Sequence, residues 1–498
     1  MQRKSNAYSS ILKGTALFGG VQVFNILINL VRGKLVALLL GPEGMGISSL
    51  LTSSMNTIQQ FTGLGLNLSS VQEIAKAHGQ QDAERIGFVA YTLRRLLHLT
   101  ALAGSLFAIL FCSHLSEWTF GNADYKWHFA LLSIVIFFST LSGGELSILQ
   151  GIHAVKKLAF ASVIGSTIGL VVGIPLYYFL GYNGIVPAMI ALPLAIYIFF
   201  RYHTNRLVNV SNVTYQWKTM YPLAKRMVSL GIVMMISSLL GTLTQYIMNS
   251  YIGRTGSLED VGLFQAANSI TNQYIGLVFA AMGADFAPRL SAISHDNGKV
   301  RQLVNQQTEI VVLLTVPLAM LLIMTAPLLI RILLTKEFLE VTPIICWMGL
   351  GVALKAIAYP MGYISFAKGD KKTFFWLEGI WGNILLLIAN LSFYTLWGVY
   401  GLGMSFVFLY FIGCMTYVFL TFRLYEFKHS PQTLLLIAKS LTFLVILFLI
   451  NLFSSSVYAY VLESVLFVLT CIFCLSELNK RIDLWNTIRD KIKHHHAK

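Results

Sequence analysis

The chain of 498 residues is 56% hydrophobic and only 11% charged, with a net charge of +15 at pH 7. Soluble domains carry about 25% charged residues, so this composition excludes a soluble globular protein and, because it is so apolar, a disordered one. It predicts an all-α integral membrane protein. In such a protein a positive excess reflects orientation in the bilayer, and we expect no nucleic-acid partner.

Apolar segments long enough to cross the bilayer recur along the whole chain, since a helix needs about 20 residues to cross a core of about 30 Å. The first continues to Leu40 without a small-residue cleavage site, so we interpret it as a spanning helix and not as a signal peptide. Fourteen segments are predicted, at residues 14–40, 47–72, 88–113, 128–149, 158–180, 185–201, 227–252, 263–288, 309–334, 343–366, 373–397, 401–422, 432–453 and 459–477.

The basic residues are distributed unevenly between the predicted loops. Most of the 36 Lys and Arg residues fall on the side that holds both termini, and the opposite loops hold only Lys126, Arg254 and Lys336. Loops rich in Lys and Arg face the cytoplasm. The asymmetry therefore predicts that both termini are cytoplasmic, which requires an even number of spans.

An internal repeat is indicated by three pairs of segments with a nearly constant offset. The pairs are Gly46–Ile58 with Gly262–Tyr274 (offset 216), Lys156-Lys157 with Lys371-Lys372 (215), and Gly181–Gly184 with Gly398–Gly401 (217). Two units of six spans each keep the same orientation, which predicts two lobes related by a pseudo-twofold axis along the membrane normal. We predict lobes at residues 1–210 and 211–428, two further helices within 429–477, and a cytoplasmic basic tail at 478–498.

Amide side chains form stripes on the first two predicted helices of each repeat. Spacings of three and four residues place them on one face of each helix, and their cost in lipid predicts that these faces point inward. Interhelical hydrogen bonds, worth about 0.6 kcal/mol each, are one interpretation. Four matched stripes favour a shared water-filled cavity. Its predicted polar lining is Asn25, Asn29, Asn56, Gln60, Gln245, Asn249, Asn268 and Asn272.

Cations inside predicted spans are candidate ligand-binding groups, because a charge at the bilayer centre costs at least about 2.5 kcal/mol. Arg32 continues the stripe of the first span, and Lys355 lies in the middle of the tenth. Lys34 and Arg94 are further candidates. Lys34 points away from the stripe unless the helix bends, and Arg94 has the alternative of extending to the cytoplasmic interface.

Acids inside the predicted spans are few. Glu145, Asp285 and Glu378 all lie near cytoplasmic ends, and we interpret Glu145 and Asp285 as candidate coupling acids. For Asp285 the alternative is an ion pair with Arg289, four residues later. No nucleotide-binding loop of the G-x-x-x-x-G-K-[ST] type is present, and we expect neither a cofactor nor a metal site.

Cations and amides without an acid at the midplane suit an anionic ligand rich in hydroxyl groups. Arginine binds phosphate bidentately, and Asn and Gln both donate to and accept from sugar hydroxyls. A cationic drug would instead prefer acids or an aromatic cage. The stripes and cations therefore predict an anionic, hydroxyl-rich ligand.

Three motifs resemble the polysaccharide transporter family of the multidrug/oligosaccharidyl-lipid/polysaccharide exporter superfamily. They are Leu38-Leu-Leu-Gly-Pro-Glu-Gly-Met-Gly46, the Gln150-Gly151 to Lys156-Lys157 entry to the fifth span, and Ala284-Asp-Phe-Ala-Pro-Arg-Leu-Ser291. The resemblance implies a bacterial inner-membrane flippase that moves an undecaprenyl-pyrophosphate-linked oligosaccharide, such as an O-antigen or capsule repeat unit, to the periplasmic leaflet by alternating access. It also implies that Arg32 serves as a cavity arginine and that the last two helices hold the lipid tail.

Two other classes of protein stay open as alternatives. One is a multidrug or other ion-coupled exporter of the same superfamily, which would need a titratable acid deep in a lobe. The other is an enzyme, such as an O-antigen polymerase or ligase, which would need a large outer loop, whereas the largest here is predicted at about 114–127. We therefore predict a transporter and not an enzyme, working as a monomer, with a polymerase and chain-length assembly as candidate partners.

Overall fold

The structure, a computed structural model, describes residues 2–208, 216–454 and 456–482. Within these ranges the chain forms helices and short turns and no strand, which confirms the all-α class. The helices are α1 (Gln2–Thr62), α2 (Leu66–Gly79), α3 (Ala83–Leu110), α4 (Cys112–Phe120), α5 (Lys126–Gly151), α6 (Val155–Leu180), α7 (Ile185–Leu207), α8 (Trp217–Thr255), α9 (Leu258–Ala292), α10 (Asn297–Leu333), α11 (Thr342–Ala367), α12 (Lys371–Phe374), α13 (Gly382–Tyr425), α14 (Pro431–Phe453) and α15 (Val457–Ile482). Gly181–Gly184 and Lys336–Val341 are 3₁₀ helices, and Phe375–Trp381 is a π-helix.

In the described part of the chain, nine helical stretches are long and apolar enough to cross a membrane, or ten if the bent pair in α8 counts as one span. Three of these stretches, of 36, 45 and 55 residues, exceed the length that one crossing needs: Leu27–Thr62, Val163–Leu207 and Lys371–Tyr425. Each contains a glycine with a positive φ, at Gly41 (64°), Gly181 (54°) and Gly398 (59°), where the helix breaks. The exact count of fourteen spans stays a prediction.

Two breaks that the repeat relates have the same backbone conformation. Gly181 has φ 54° and ψ −130°, and Gly398 has φ 59° and ψ −146°. A Cβ at Gly184 would lie 2.2 Å from the Leu176 carbonyl oxygen, and one at Gly401 would lie 2.0 Å from the equivalent oxygen, again eight residues earlier. Both turns therefore require glycine for the same steric reason.

The turns that enter α6 and α12 also match. His153 and Gly369, 216 residues apart, both have a positive φ, at 53° and 69°. In each turn that residue donates its N–H to the carbonyl oxygen three residues earlier, and the next residue donates to the carbonyl five residues before itself. These shared conformations support the internal repeat that the sequence predicts.

The predicted second span differs from the observed helix. The apolar pattern predicts a helix over 47–72, but α1 ends at Thr62, because Leu64 and Gly65 both have a positive φ (50° and 61°). The chain resumes as α2, which contains the end of the predicted span and about half of the loop predicted after it. Hydrophobicity continues through the break, so the apolar pattern alone does not reveal it.

The chain packs as two compact units. The first runs to Gly262 and includes Leu333–Thr335, and the second comprises Leu263–Ile332 and continues from Lys336. The core of the first unit is fully buried at positions such as Leu66, Ile74, Leu93, Ile148 and Met227. The core of the second includes Val316, Ile323, Ile345, Ile364 and Leu444. The predicted lobe boundaries at residues 210 and 428 stay predictions.

Candidate functional site

Polar stripes of the second and seventh predicted spans meet inside the first unit. Asn249 donates from Nδ2 to the Ser49 hydroxyl at 3.4 Å, and Gln245 donates to Asn249 Oδ1 at 3.2 Å. Two turns further along α1, Thr57 donates to the Thr242 carbonyl oxygen at 3.4 Å. The structure therefore places Asn249 against α1, with Gln245 bonded to it on the same face of α8.

The remaining stripe residues divide between the two units. Asn29 and Asn56 are exposed and Gln60 is half-buried in the first unit. In the second unit Asn272 donates to Asn268 at 2.9 Å along the same helix. The side chains of Asn25 and Asp285 lie outside the described residues. A single cavity lined by all four stripes stays a prediction.

Arg32 lies half-buried on α1 and faces α6. Its Nη1 would lie 3.7 Å from a Cβ at Gly169, so the absence of a side chain there leaves room for the guanidinium. Among the described side chains, no acid lies within 4 Å of it. Lys34 is also half-buried, two residues further along the same helix. Arg32 thus lies inside a predicted membrane span, and none of the described acidic side chains pairs with its guanidinium.

Arg94 and Glu145 form a buried network in the first unit. Arg94 donates from Nε and Nη2 to the two carboxylate oxygens of Glu145, at 2.8 and 2.9 Å, and Arg201 donates to the same carboxylate at 2.9 Å. The Thr204 hydroxyl adds a fourth hydrogen bond. The side chains of Arg94 and Glu145 are 9% and 3% exposed. Four donors saturate the carboxylate, which favours a structural role for Arg94 and Glu145 over the substrate contact and the coupling acid that the sequence predicts.

Glu145→Ala is expected to destabilise the protein by about 3–5 kcal/mol, because it leaves Arg94 buried without its counter-ion. The midpoint of thermal unfolding in detergent measures this loss. Arg95→Ala, one residue away on the exposed side of α3, is the matched control and should change the midpoint little. Equal midpoints for Glu145→Ala and the control would contradict a structural role for the network.

A cavity of about 550 Å³ lies inside the second unit, between α11, the π-helix and α13. Lys355 enters it with its Nζ 4.9 Å from the Phe279 ring centroid and 5.6 Å from that of Tyr410. No described acid lies within 4 Å of the ammonium group. We define the Lys355 pocket by six of the residues that line it: Lys355, Tyr359, Tyr363, Glu378, Tyr410 and Tyr417.

Four side chains of the Lys355 pocket form two hydrogen-bonded pairs. The Tyr359 and Tyr363 hydroxyls are 3.0 Å apart, and the Tyr417 hydroxyl donates to Glu378. Glu378 belongs to the π-helix, an element that recurs at functional sites. At one end of the same wall, Asp370 caps α12; hydrogen bonds from Thr373 and Tyr425 hold the pKa of its carboxyl below the ordinary value.

Two glycines that the repeat relates contact each other in the first unit. A Cβ at Gly46 would lie 1.8 Å from the Leu258 carbonyl oxygen, and one at Gly262 would lie 1.9 Å from the Pro42 carbonyl oxygen. Each oxygen belongs to the residue four positions before the opposite glycine. The two helices therefore cross in backbone contact, and the resulting symmetry is that expected for a pseudo-twofold axis.

A second backbone contact closes the other end of the same α1 segment. A Cβ at Gly65 would lie 2.0 Å from the Gly231 carbonyl oxygen, and one at Gly231 would lie 2.2 Å from the Leu64 carbonyl oxygen. The segment of α1 after Gly41 is thus held at both ends by contacts that only glycine allows.

Glu463 on α15 is a buried acid that no pattern in the sequence singled out. It is 1% exposed and accepts a hydrogen bond from Asn451 at 3.2 Å, while Cys346 donates to Asn451 at 3.4 Å. Its Oε2 has no partner among the described groups. Its position within the apolar segment 459–477 was the signal available in the sequence, and it adds to the few acids that lie inside predicted spans.

Comparisons with known proteins agree with this architecture. The family described as "Polysaccharide biosynthesis protein" matches residues 35–343, more than half of the chain. The Lipid III flippase of Escherichia coli (strain K12) is 22% identical over 388 residues, which cover 76% of this chain and 91% of that protein. The Lipid III flippase of Shigella flexneri gives the same values.

Two solved structures share the fold across most of the chain. The lipid II flippase MurJ in its inward closed conformation is 16% identical with a TM-score of 0.68, over 93% of this chain and 99% of that one. An inward-facing multidrug resistance MATE family transporter is 17% identical with a TM-score of 0.68, over 81% and 94%. The chain accordingly shares the fold of these membrane transporters, and it belongs to the polysaccharide biosynthesis protein family.

Proposed function

We propose that the protein is a flippase for an undecaprenyl-pyrophosphate-linked oligosaccharide, an O-antigen or capsule repeat unit. The observation that carries this proposal is the pair of cations, Arg32 and Lys355, that lie in predicted spans without a described acid within ion-pair distance. Placing such charges inside the membrane costs free energy unless an anion binds to them. The two Lipid III flippases support the substrate class, since this chain covers 91% of each.

Two parts of this substrate, the phosphates and the sugars, have side chains that could bind them. The guanidinium of Arg32 forks a phosphate bidentately, and the amides of Asn29, Asn56 and Gln60 supply donors and acceptors for sugar hydroxyls. Transport runs from the cytoplasmic to the periplasmic leaflet of a bacterial inner membrane, with both termini in the cytoplasm. The protein works as a monomer beside a separate polymerase and chain-length assembly.

We propose further that the two glycine contacts are the closed gates of an alternating-access cycle. Under the predicted topology, the contact of Gly46 with Gly262 lies at the outer side and that of Gly65 with Gly231 at the inner side. Backbone-to-backbone contact excludes water and substrate, yet few side chains must separate for it to open. Opening one contact at a time would expose the polar stripes to one side only.

Complementation tests the substrate class. The gene is expressed in strains that lack their own O-antigen flippase and make defined glycans, and surface O-antigen is measured. Restored O-antigen in at least one strain is expected. No restoration in any strain, with normal insertion of the protein, counts against the assignment.

A multidrug exporter is the second candidate, favoured by the buried acid Glu463 and by the likeness to the MATE transporter. Cationic drugs need a titratable acid in the membrane to pair with. Drug susceptibility of a hypersensitive host decides between the two functions. Resistance conferred by the native chain and lost in Glu463→Gln would favour export of drugs over flipping.

The driving force gives a further prediction, because no nucleotide-binding loop is present in the chain. An inside-negative potential favours outward movement of an anion by about 2.3 kcal/mol per charge per 100 mV. We therefore expect that dissipating the potential with valinomycin and potassium slows flipping more than collapsing the pH gradient with nigericin does. If nigericin alone stops transport while the potential is held, a proton-coupled acid exists, and Asp285, Glu378 and Glu463 are the first candidates.

A further inference from the structure

We propose that the Lys355 pocket binds the carboxylate-bearing sugar of an acidic oligosaccharide, and so selects which repeat units are transported. The inference rests on the proposed function, because it names a feature of the same substrate. It concerns a cavity inside the second unit, lined by α11, the π-helix and α13.

The first argument is the charge of Lys355. Its ammonium group lies between the rings of Phe279 and Tyr410, at 4.9 and 5.6 Å from their centroids, and no described acid is within 4 Å. The faces of the two rings partly compensate the charge, but a half-buried ammonium still lacks a counter-ion. An anionic group of a bound ligand would supply it.

The second argument is the chemistry of the walls. A sugar presents hydroxyl groups around its edge and C–H groups on its faces, so it needs both hydrogen-bonding groups and aromatic surfaces. The pocket offers the hydroxyl pair of Tyr359 and Tyr363, the acceptor Glu378, and the ring of Trp381. Its volume of about 550 Å³ falls within the range of small-molecule sites.

Lys355 and Glu378 lie at different levels along α11. Gly362 lies beside Glu378, since a Cβ there would be 3.0 Å from the carboxylate oxygen Oε1. Lys355 is seven residues earlier on α11, about 10.5 Å along the helix axis. A ligand therefore meets a cation at one end and an acceptor at the other. A sugar acid matches this polarity, with its carboxylate at Lys355 and its hydroxyls toward Glu378.

The test measures binding of simple probes to the purified full-length protein in lipid nanodiscs. The midpoint of thermal unfolding is recorded against sodium D-glucuronate, D-glucose and inorganic phosphate at constant ionic strength and constant sodium concentration. A ligand that binds only the folded protein raises the midpoint. We expect glucuronate to act at a concentration at least tenfold lower than glucose. Lys355→Gln should remove this difference, and Lys439→Gln, a cation on the exposed side of α14, should keep it.

A second variant guards against misfolding of Lys355→Gln. Tyr359→Phe keeps the ring and removes one hydroxyl, and it should weaken glucuronate binding severalfold while the midpoint without ligand stays near that of the native protein. Equal binding of glucose and glucuronate, or native binding in Lys355→Gln, would overturn the proposal. Phosphate that binds as well as glucuronate would assign the pocket to an anion of another kind and overturn it too.

Two further outcomes separate this inference from the proposed function. In a separate titration with sodium chloride, a shift of the midpoint that Glu378→Gln removes, without any effect of sugars, would make the pocket a coupling-cation site. The inference would then fall while flipping stands. Discrimination of glucuronate in a protein that does not flip lipid-linked glycans would leave the pocket a sugar-acid site and defeat the proposed function.

Discussion

Arg32→Ala is expected to lower transport of the lipid-linked substrate by about 10- to 100-fold, the range expected when a hydrogen bond to a charged group is lost. Arg32→Lys should retain only part of the activity. The guanidinium offers a planar fork that matches two phosphate oxygens, whereas a lysine supplies a single point charge. The half-buried position of Arg32 beside Gly169, without a described acidic partner, leaves the fork available to the substrate.

Flipping in proteoliposomes reconstituted with equal amounts of each variant measures this effect. Arg95→Ala is the control, because Arg95 is exposed and contacts only Tyr91 among the interactions that the structure describes. If the Ala and Lys variants of Arg32 are equally active, the guanidinium does not bind the substrate.

Gly46→Ala and Gly262→Ala are each expected to reduce transport by at least tenfold. A methyl group at either position would lie less than 2 Å from a backbone oxygen of the opposing helix, so the outer contact could not form. Because α1 and α9 meet through backbone atoms, no rotamer change relieves the clash. The protein should insert normally but fail to close on the outer side.

The loss of closure is read by labelling. In a Gln245→Cys background the two alanine variants should react faster with an impermeant maleimide added from outside. Gly276→Ala is the matched control on α9, since a Cβ there meets nothing within 4 Å. Unchanged transport in both variants, or labelling no faster than in the control, would show that the glycine contact is not a gate.

Local patterns in the sequence predicted a good part of this architecture. Periodic amides located the face of α8 on which Asn249 contacts α1. Matched glycines located Gly181 and Gly398, because a positive φ favours glycine. Such features depend on a few neighbouring residues, so a local sequence pattern is enough to predict them.

Features that depend on distant partners escaped prediction. Arg94 and Glu145 are 51 residues apart, and nothing in either segment indicates that they pair. The Lys355 pocket is formed by three separate elements. One of them is a π-helix, which the hydrophobic pattern does not distinguish from an α-helix. The sequence shows that Gly46 matches Gly262. It does not show that the two glycines touch, because that contact depends on how two distant helices pack.

Flipping of a lipid-linked oligosaccharide by the purified protein tests the central claim most directly. Proteoliposomes contain an undecaprenyl-pyrophosphate-linked glycan with a fluorescent label, and the fraction accessible to an added quencher is followed under an applied potential. The account predicts that the native chain equilibrates the labelled lipid between leaflets far faster than Arg32→Ala does. Equal rates for native protein, Arg32→Ala and protein-free liposomes, with every glycan tried, would contradict it.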